Sequence, residues 1–238
     1  MFEKNALLIM GELKESDIVL DIGAWFKPFN RANWVVDIMP YDTRGRAGSC
    51  AGTNEYFSKE TWLNLDVCDG KKLPFKDKEI DFVICSHVLE DVRDPVFLCS
   101  EIVRVGKRGY IEVPSMLSEL SLGVESKKYA GRYHHRWLVD IRDNRIDFLF
   151  KPHFIHSSRK YHFPWRYGKA LAEEASIKWL FWKDSFEFGE KTIIDYDMFL
   201  QEIEGFVRCA GVYSGVIYAA DDLLAAFKKA LKGLLKRI

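Results

Sequence analysis

The segment Asp17–Ile38, "DIVLDIGAWFKPFNRANWVVDI", decides how this chain folds. Its two apolar runs, Ile18–Ile22 and Trp34–Ile38, are short and rich in Val, Ile and Leu, which is typical of strands buried on both faces. Only 12 residues separate Ile22 from Val35, which leaves scarcely enough chain for a regular crossover helix. The segment therefore predicts two strands of a parallel sheet joined by a compact loop.

Three more strand-like runs follow: Leu63–Val67, Ile80–Ser86 and Gly109–Val113. Between the last two, Asp94 can cap a helix whose first turn holds Pro95 and which Gly106 ends. Strand, helix and strand with short links predict a right-handed parallel crossover. We therefore predict an α/β fold with a doubly wound, mostly parallel, Rossmann-like sheet.

The character of the sequence changes after Pro114. Two strand-like runs around Asp143 and Asn144 predict a hairpin. Residues 151–238 have a weaker rhythm and many aromatic side chains, which favours a mainly helical C-terminal extension. We divide the chain into a ligand-binding core, residues 1–150, and an extension, residues 151–238, that packs on the core and caps the acceptor.

Composition and charge exclude several classes of protein. Lys+Arg and Asp+Glu balance at 35 each, so we expect no nucleic-acid partner. The longest apolar runs fall far short of the roughly 18 residues of a membrane span, and the N-terminus has no signal-peptide pattern. The five cysteines form no CxxC pair, which favours a reducing, cytoplasmic setting. The sequence does not predict an oligomeric state.

The C-terminal stretch "DDLLAAFKKALKGLLKRI", residues 221–238, predicts a basic amphipathic helix. Its leucines share one face with Phe227, and its lysines lie off that face. Such a helix either docks on its own core or on a partner, or makes peripheral contact with a membrane surface. Both interpretations stay open.

The loop after the first strand favours a nucleoside ligand without phosphates. Asp21 and Gly23 fall at the end of one strand and Asp37 near the end of the next, where open parallel sheets bind ligands. A pyrophosphate needs glycines and a helix N-terminus, whereas bulky residues and a proline follow Gly23. S-adenosylmethionine (SAM) is a suitable nucleoside. A nicotinamide-dependent oxidoreductase is the disfavoured alternative.

An ordered set of motifs resembles a known family. "VLDIGA", "VVD", "DGKKLPFKDKEIDFVICSHVLEDVRDP" and "EIVRVGKRGYIEVPS" follow one another in residues 17–115. Together they resemble the class I SAM-dependent methyltransferases, specifically the small-molecule branch called type 11. The resemblance implies transfer of a methyl group from SAM to a small-molecule acceptor, such as a glycan or a lipid-linked intermediate. A non-catalytic SAM-binding or interaction protein of the same fold is the alternative.

The resemblance assigns cofactor-binding roles at the first two strands. Asp21, Gly23 and Ala24 would form the loop around the methionine tail, and Asp37 would bind the ribose hydroxyls. Gly23 would let the backbone pass close to that tail. Asp21 either helps to bind the ammonium group or simply accepts hydrogen bonds from backbone amides. The family's further loop glycines are missing, as in a subgroup with a G-x-x-x-x-PF-x-RA loop.

The resemblance also assigns roles beyond the third and fourth strands. Asp69 would accept a hydrogen bond from the adenine amino group beside the backbone of Gly70, with Asp66 as its rival. Ser86 and His87 would lie next to the sulfonium.

The segment that follows the fourth predicted strand contains the catalytic candidates. For a hydroxyl acceptor a general base is useful, and His87 and Asp91 are the candidates. A structural or SAM-contacting role for His87 is the alternative. Glu90 and Asp91 could instead be solvated or capping carboxylates.

Five of the six histidines lie between residues 134 and 162. His135, Arg136 and Trp137 resemble an HRW motif of the same subgroup, which implies a substrate-binding role. The basic and aromatic residues from 159 to 167 form either a wall for an anionic or sugar-like acceptor or a packing layer. The histidine spacing matches no standard zinc site, so we predict no metal site.

Overall fold

The computed structural model describes residues 1–44, 46, 54–210, 218–219, 222–224 and 226–227. The chain forms two compact units. The first comprises Met1–Ser115, His134–Lys151 and Ile177–Thr192, and the second comprises Met116–Tyr133, Pro152–Ser176 and Ile193–Ile238. Because the chain passes between the units several times, they differ from a single division at residue 150. That division stays a prediction.

The described residues form nine strands and six α-helices. The strands are β1 (Val19–Ile22), β2 (Trp34–Asp37), β3 (Trp62–Asn64), β4 (Phe82–Ser86), β5 (Arg108–Pro114), β6 (Trp137–Arg142), β7 (Arg145–Phe150), β8 (Ile177–Lys183) and β9 (Glu187–Glu190). The helices are α1 (Glu3–Glu12), α2 (Pro95–Val105), α3 (Met116–Glu119), α4 (Trp165–Ala170), α5 (Glu173–Ser176) and α6 (Tyr196–Ala210).

The main sheet of the first unit has the order β3-β2-β1-β4-β5-β8 among the described strands. All its neighbours pair in parallel except β5 and β8, which are antiparallel. The inner strands are buried almost without interruption, as their continuous apolar runs predict. The mixed α/β fold with a mostly parallel, Rossmann-like sheet is confirmed.

Helix α2 forms the predicted crossover between β4 and β5. The Asp94 carboxylate accepts a hydrogen bond from the Phe97 amide at 2.9 Å, Pro95 begins the helix and Gly106 follows it. The helix buries Leu98, Ile102 and their apolar neighbours against the sheet. Its local sequence signals were sufficient to locate both ends.

The connection from β1 to β2 has no helix. Residues 23–33 form only turns and bends, in agreement with the shortness of the segment. Arg31 holds this connection in place, because its guanidinium donates to the carbonyls of Lys14, Glu15 and Asp17.

The second sheet of the first unit has the order β6-β7-β9. The predicted hairpin is present as β6 and β7, and Asp143 in its turn has a left-handed φ of 52°. Strands β8 and β9 lie within the region for which the sequence predicts mainly helices. Strand β8 forms because it pairs with β5 along its whole length, from Lys183 opposite Arg108 to Ile177 opposite Pro114.

The second unit is mainly helical. Helix α6 buries Phe199, Ile203 and Val207, which lie four residues apart on one face. Within this unit the Arg159 guanidinium forms an ion pair with Asp222, and the ring of His162 contacts the Tyr218 hydroxyl at 2.9 Å. Both interpretations of this region, a wall for an acceptor and a packing layer, stay open.

The predicted C-terminal amphipathic helix lies mostly outside the described residues. Within the part of the chain that the structure describes, no helix has both the length and the apolar character needed to cross a bilayer.

Candidate active site

The carboxyl ends of β1, β2, β4 and β5 meet at one edge of the main sheet, because these strands are parallel. This edge brings together Asp21 and Gly23 from β1, Asp37 from β2 and Ser86 with His87 from β4. Sequence reasoning therefore named residues that the fold places at one edge, where open α/β sheets bind ligands.

Asp37 ends β2 and organises the loop before it. Its two carboxylate oxygens accept hydrogen bonds from the amides of Trp25 at 2.8 Å and Met39 at 2.7 Å. Burial raises the pKa of Asp37, although these two hydrogen bonds oppose the rise. Each carboxylate oxygen keeps a second lone pair, so Asp37 can still accept hydrogen bonds from a ligand's hydroxyls.

Asp21 also accepts a backbone hydrogen bond. The Phe29 amide donates to its carboxylate at 2.8 Å. Burial raises the pKa of Asp21 to about 7, and the negative charge of Asp37 adds to the rise. Asp21 thus does accept a hydrogen bond from a backbone amide, which was one of the two roles considered for it. Its contact with an ammonium group stays a prediction.

Gly23 is required by the protein itself. Its φ is +71°, and a Cβ placed on it would lie 2.1 Å from Cγ2 of Val88, in the segment after β4. A side chain here would meet both a left-handed backbone and a neighbouring core residue. The sequence analysis gave closeness to a ligand as the reason for this glycine, and contact with Val88 is a sufficient reason without one.

The bulky residues of the β1–β2 loop are fixed by the protein. The Trp25 indole donates to the Thr43 hydroxyl at 2.9 Å, and Ala24 beside it is buried. By contrast, Phe26, Ile38 and Met39 are 57%, 64% and 37% exposed. Ile38 and Met39 directly follow Asp37 in the chain, and Phe26 follows Trp25, whose amide donates to Asp37. The sequence analysis did not single them out as ligand contacts, although large apolar residues beside a strand-end acid are a signal.

Asp69 and its rival Asp66 both stabilise the turn after β3. Asp69 accepts from the Lys71 amide and ammonium, which lower its pKa, and Asp66 accepts from the Cys68 amide at 2.8 Å. Gly70 has a left-handed φ of +79° with open space around its Cβ position. The adenine role of Asp69 and Gly70 stays a prediction.

His87 lies between two acidic side chains. Its Nε2 is 3.1 Å from the Glu112 carboxylate and its Nδ1 is 3.3 Å from that of Glu90. Burial lowers the pKa of His87, but Glu112 and Glu90 outweigh it and raise the pKa to about 9. The imidazole therefore holds its proton at neutral pH, so a role as general base requires alkaline conditions.

Glu112 is a site residue that sequence reasoning missed. It lies on β5, two residues before the end of the strand, as a buried carboxylate that also accepts hydrogen bonds from Ser86, Tyr110 and the Phe2 amide. Burial raises its pKa, but the donors His87, Tyr110 and Phe2 lower it to about 2. A glutamate inside the apolar run Gly109–Val113 was the signal that could have identified it.

The segment after β4 is joined to the start of β6. The Glu90 carbonyl accepts from the amides of Arg136 at 2.7 Å and Trp137 at 3.2 Å, and the Trp137 indole donates to the Val92 carbonyl at 2.9 Å. The Trp137 ring also packs against Phe148. These contacts bring the HRW residues next to the catalytic candidates, while their binding of substrate stays a prediction.

The solvated interpretation of Glu90 was wrong, since its side chain is completely buried. Asp91 is partly exposed, and its Oδ1 lies 3.9 Å from Nε2 of His134 and 3.8 Å from Nε2 of His135. His134, which the sequence analysis did not select, thus faces the same carboxylate as His135. By contrast, His153, His156 and His162 do not converge on a common point within the described residues.

Comparisons with known proteins agree with this geometry. Residues 24–111, less than half of the chain, match the profile of the family described as "Methyltransferase domain". A search of curated proteins finds no match.

Solved structures similar to the chain include three from different organisms. A chain of the complex between the Haloferax volcanii Trm112 methyltransferase activator and its methyltransferase partner is 26% identical, with 47% of this chain and 50% of that chain covered and a TM-score of 0.35. A SAM-dependent methyltransferase from Aquifex aeolicus is 17% identical (47% and 63% covered, TM-score 0.31). One from Mesorhizobium loti is also 17% identical (61% and 62% covered, TM-score 0.35). The chain thus spans less than two thirds of the length of each.

The family match begins at Ala24, after the end of β1, and stops within β5, with Asp37, the acidic turn and the β4 end inside it. Residues 24–111 therefore match the methyltransferase-domain family. The resemblance predicted from the sequence is confirmed, and methyltransferases of this fold use SAM as the methyl donor.

Proposed function

We propose that this protein transfers a methyl group from SAM to a small-molecule acceptor, of the glycan or lipid-linked class. The observation that carries the proposal is the position of Asp37 at the carboxyl edge of a methyltransferase sheet, next to a loop without a phosphate-binding helix. We retain a cytoplasmic location as part of the proposal.

The residues at this edge fit a nucleoside with a charged tail. Asp37 keeps free lone pairs for hydroxyls, and Phe26, Ile38 and Met39 offer exposed apolar surface for a base or ribose. When bound, SAM supplies a carbon already activated for displacement. The chain's task is then alignment of the acceptor, which can contribute on the order of 7–11 kcal/mol to lowering the barrier.

Proton removal from a hydroxyl acceptor is the second task of the chain. His87 and Asp91 are the proposed groups. If His87 is the base, the rate should rise with pH toward about 9, because only the neutral imidazole accepts a proton. The acceptor in this experiment must have a hydroxyl that does not itself titrate between neutral pH and about pH 9. If the rate is then independent of pH, His87 is not the group that removes the proton.

Calorimetric titration of the full chain with SAM, with its demethylated product and with NAD tests the proposal. We expect binding of the first two and none of NAD. For variants that remove the Asp37 carboxylate, Asp42→Asn is the matched control for loss of a negative charge, since Asp42 is an exposed acid paired with Lys59. Tight binding of NAD, or no binding of SAM, contradicts the proposal.

An acceptor screen that detects the demethylated product separates the enzyme from its non-catalytic alternative. Soluble glycans and sugar nucleotides form one arm, and lipid-linked intermediates form the other. Product in one arm identifies the acceptor class. Binding of SAM without turnover in either arm would favour a SAM-binding protein that lacks this activity.

A further inference from the structure

The segment after β4 and the start of β6 bring together a group of potential metal ligands, which we call the Asp91 cluster: Asp91, His134 and His135. Asp91 Oδ1 lies 3.9 Å from His134 Nε2 and 3.8 Å from His135 Nε2, and all three atoms lie within 4.8 Å of one another. Ligand atoms bound to one zinc-class ion at about 2.1 Å are roughly 3–4 Å apart. Two of the pairs already have this separation.

The cluster is held in place before any ion arrives. The amides of Arg136 and Trp137 donate to the Glu90 carbonyl, and the Trp137 indole donates to the Val92 carbonyl. These bonds fix His134 and His135 beside Asp91, from which they are separated by some 40 residues of chain. The entropy cost of closing that loop is thus already met by the fold. Little chain entropy would then be lost on metal binding.

A buried negative charge lies next to the cluster. Glu90 is completely buried, and its carboxylate oxygens form no hydrogen bond of normal geometry within the described residues. Its Oε1 is 3.3 Å from His87 Nδ1 and 4.0 Å from His135 Nε2. A buried carboxylate is costly in a protein interior; the His87 ring offsets part of that cost, and a nearby dication would offset more.

We propose that Asp91, His134 and His135 bind a divalent transition-metal ion of the zinc class. Two imidazoles and one carboxylate are a ligand set for such ions, with further coordination positions open. The side chains of Asp91 and His134 are 39% and 48% exposed, so an ion can enter from solvent. The sequence analysis predicted no metal site because the chain separation of these ligands hides them.

The coordination positions of the ion that the protein leaves open could serve methyl transfer at the end of β4. An oxygen of the methyl acceptor can occupy one of them, where the ion would polarise it. This role rests on the proposed function, whereas metal binding itself does not.

The test measures Zn²⁺ binding by the full chain in the absence of SAM and acceptor. Metal is first removed with a chelator, and bound Zn²⁺ is then counted by mass spectrometry after dialysis; Co²⁺ in place of Zn²⁺ gives a visible spectrum. We expect one ion per chain and a rise in melting temperature of about 5–10 °C at a hundredfold excess over the Kd. A stoichiometry well below one overturns the proposal.

Variants locate the site. Asp91→Asn and His134→Gln should each weaken Zn²⁺ binding at least ~10-fold, and both change a partly exposed residue, so the metal-free fold should persist by circular dichroism. His153→Gln, at an exposed histidine outside the cluster, and Cys209→Ser, at an exposed thiol, should bind as the parent does. Unchanged affinity in either folded cluster variant overturns the proposal, as does loss of binding in Cys209→Ser.

Discussion

The charge pair of His87 and Glu112 shows how single residues acquire new properties at the carboxyl edge of the sheet. A histidine with a pKa of about 9 and a glutamate with a pKa of about 2 stabilise one another as ions. Neither value follows from the local sequence, since His87 comes directly after β4 whereas Glu112 lies on β5.

The stability of the protein should therefore depend on the charge of His87. Its folded pKa is raised above the ordinary value of 6.5, so the stabilisation is complete below pH 6.5 and is lost as pH rises through about 9. We expect the free energy of unfolding to fall by about 1–2 kcal/mol over this window. This is less than the full pKa shift would give, because solvent reaches the His87 ring and screens the charges. Urea unfolding at a series of pH values measures it.

The matched variants for this experiment are His87→Asn and His153→Gln. Asn tolerates the left-handed φ of 58° at position 87, and it should remove most of the decrease between pH 6.5 and 9. His153→Gln should keep the decrease. If His87→Asn retains the full parental slope, the charge pair does not contribute as described.

Asp37 provides a second prediction at the residue scale. Asp37→Ala should weaken SAM binding roughly 10- to 150-fold, because a lost hydrogen bond to a charged group costs about 1.5–3 kcal/mol. Calorimetry gives the dissociation constant, and a thermal melt without ligand reports any loosening of the Trp25 and Met39 amides that Asp37 holds. A dissociation constant equal to that of the parent would reject the ribose assignment.

Strand β8 is the element that completes the main sheet, and Trp182 is its central packing residue. The indole is 4% exposed and lies over Gly106 and Gly109, where added Cβ atoms would each come within 2.9 Å of it. The two glycines therefore make the space that the ring fills.

Trp182→Ala should lower the free energy of unfolding by about 3–5 kcal/mol, since it leaves a large cavity on the face of the sheet over Gly106 and Gly109. Trp182→Phe should cost much less, because it keeps an aromatic ring and removes an indole N–H that has no acceptor in the described part of the chain. Denaturant midpoints compare the two. Equal losses for Ala and Phe would show that ring packing is not the main contribution.

At the scale of the whole molecule, the first unit is built from three separate parts of the chain. A fragment ending at Lys151 would contain β1 to β7 but lack β8, so β5 would become an exposed edge strand. The fragment would also lose Leu180 and Trp182 from the core.

We expect the fragment 1–151 to aggregate or to melt without cooperativity, whereas the full chain melts cooperatively. Size-exclusion chromatography and calorimetry of the two proteins measure the difference. A soluble fragment with a sharp melting transition would instead support an independent domain that ends near residue 150.

The sequence by itself determined the elements whose signals are local. Continuous apolar runs specified β1, β2, β4 and β5, Asp94, Pro95 and Gly106 bounded α2, and the ordered motifs indicated the methyltransferase class. These predictions succeeded because burial on both faces of a strand and capping of a helix depend on neighbouring residues.

Two features were decided only by the tertiary structure: the pairing of β8 with β5, and the contacts made by Glu112 and Asp91. Glu112 accepts a hydrogen bond from the amide of Phe2, which lies 110 residues away in the chain. Asp91 lies close to His134 and His135 because backbone hydrogen bonds join the segment after β4 to the start of β6. Burial and charge at these residues are set by partners that are distant in the chain, so no periodicity or spacing in the sequence can express them.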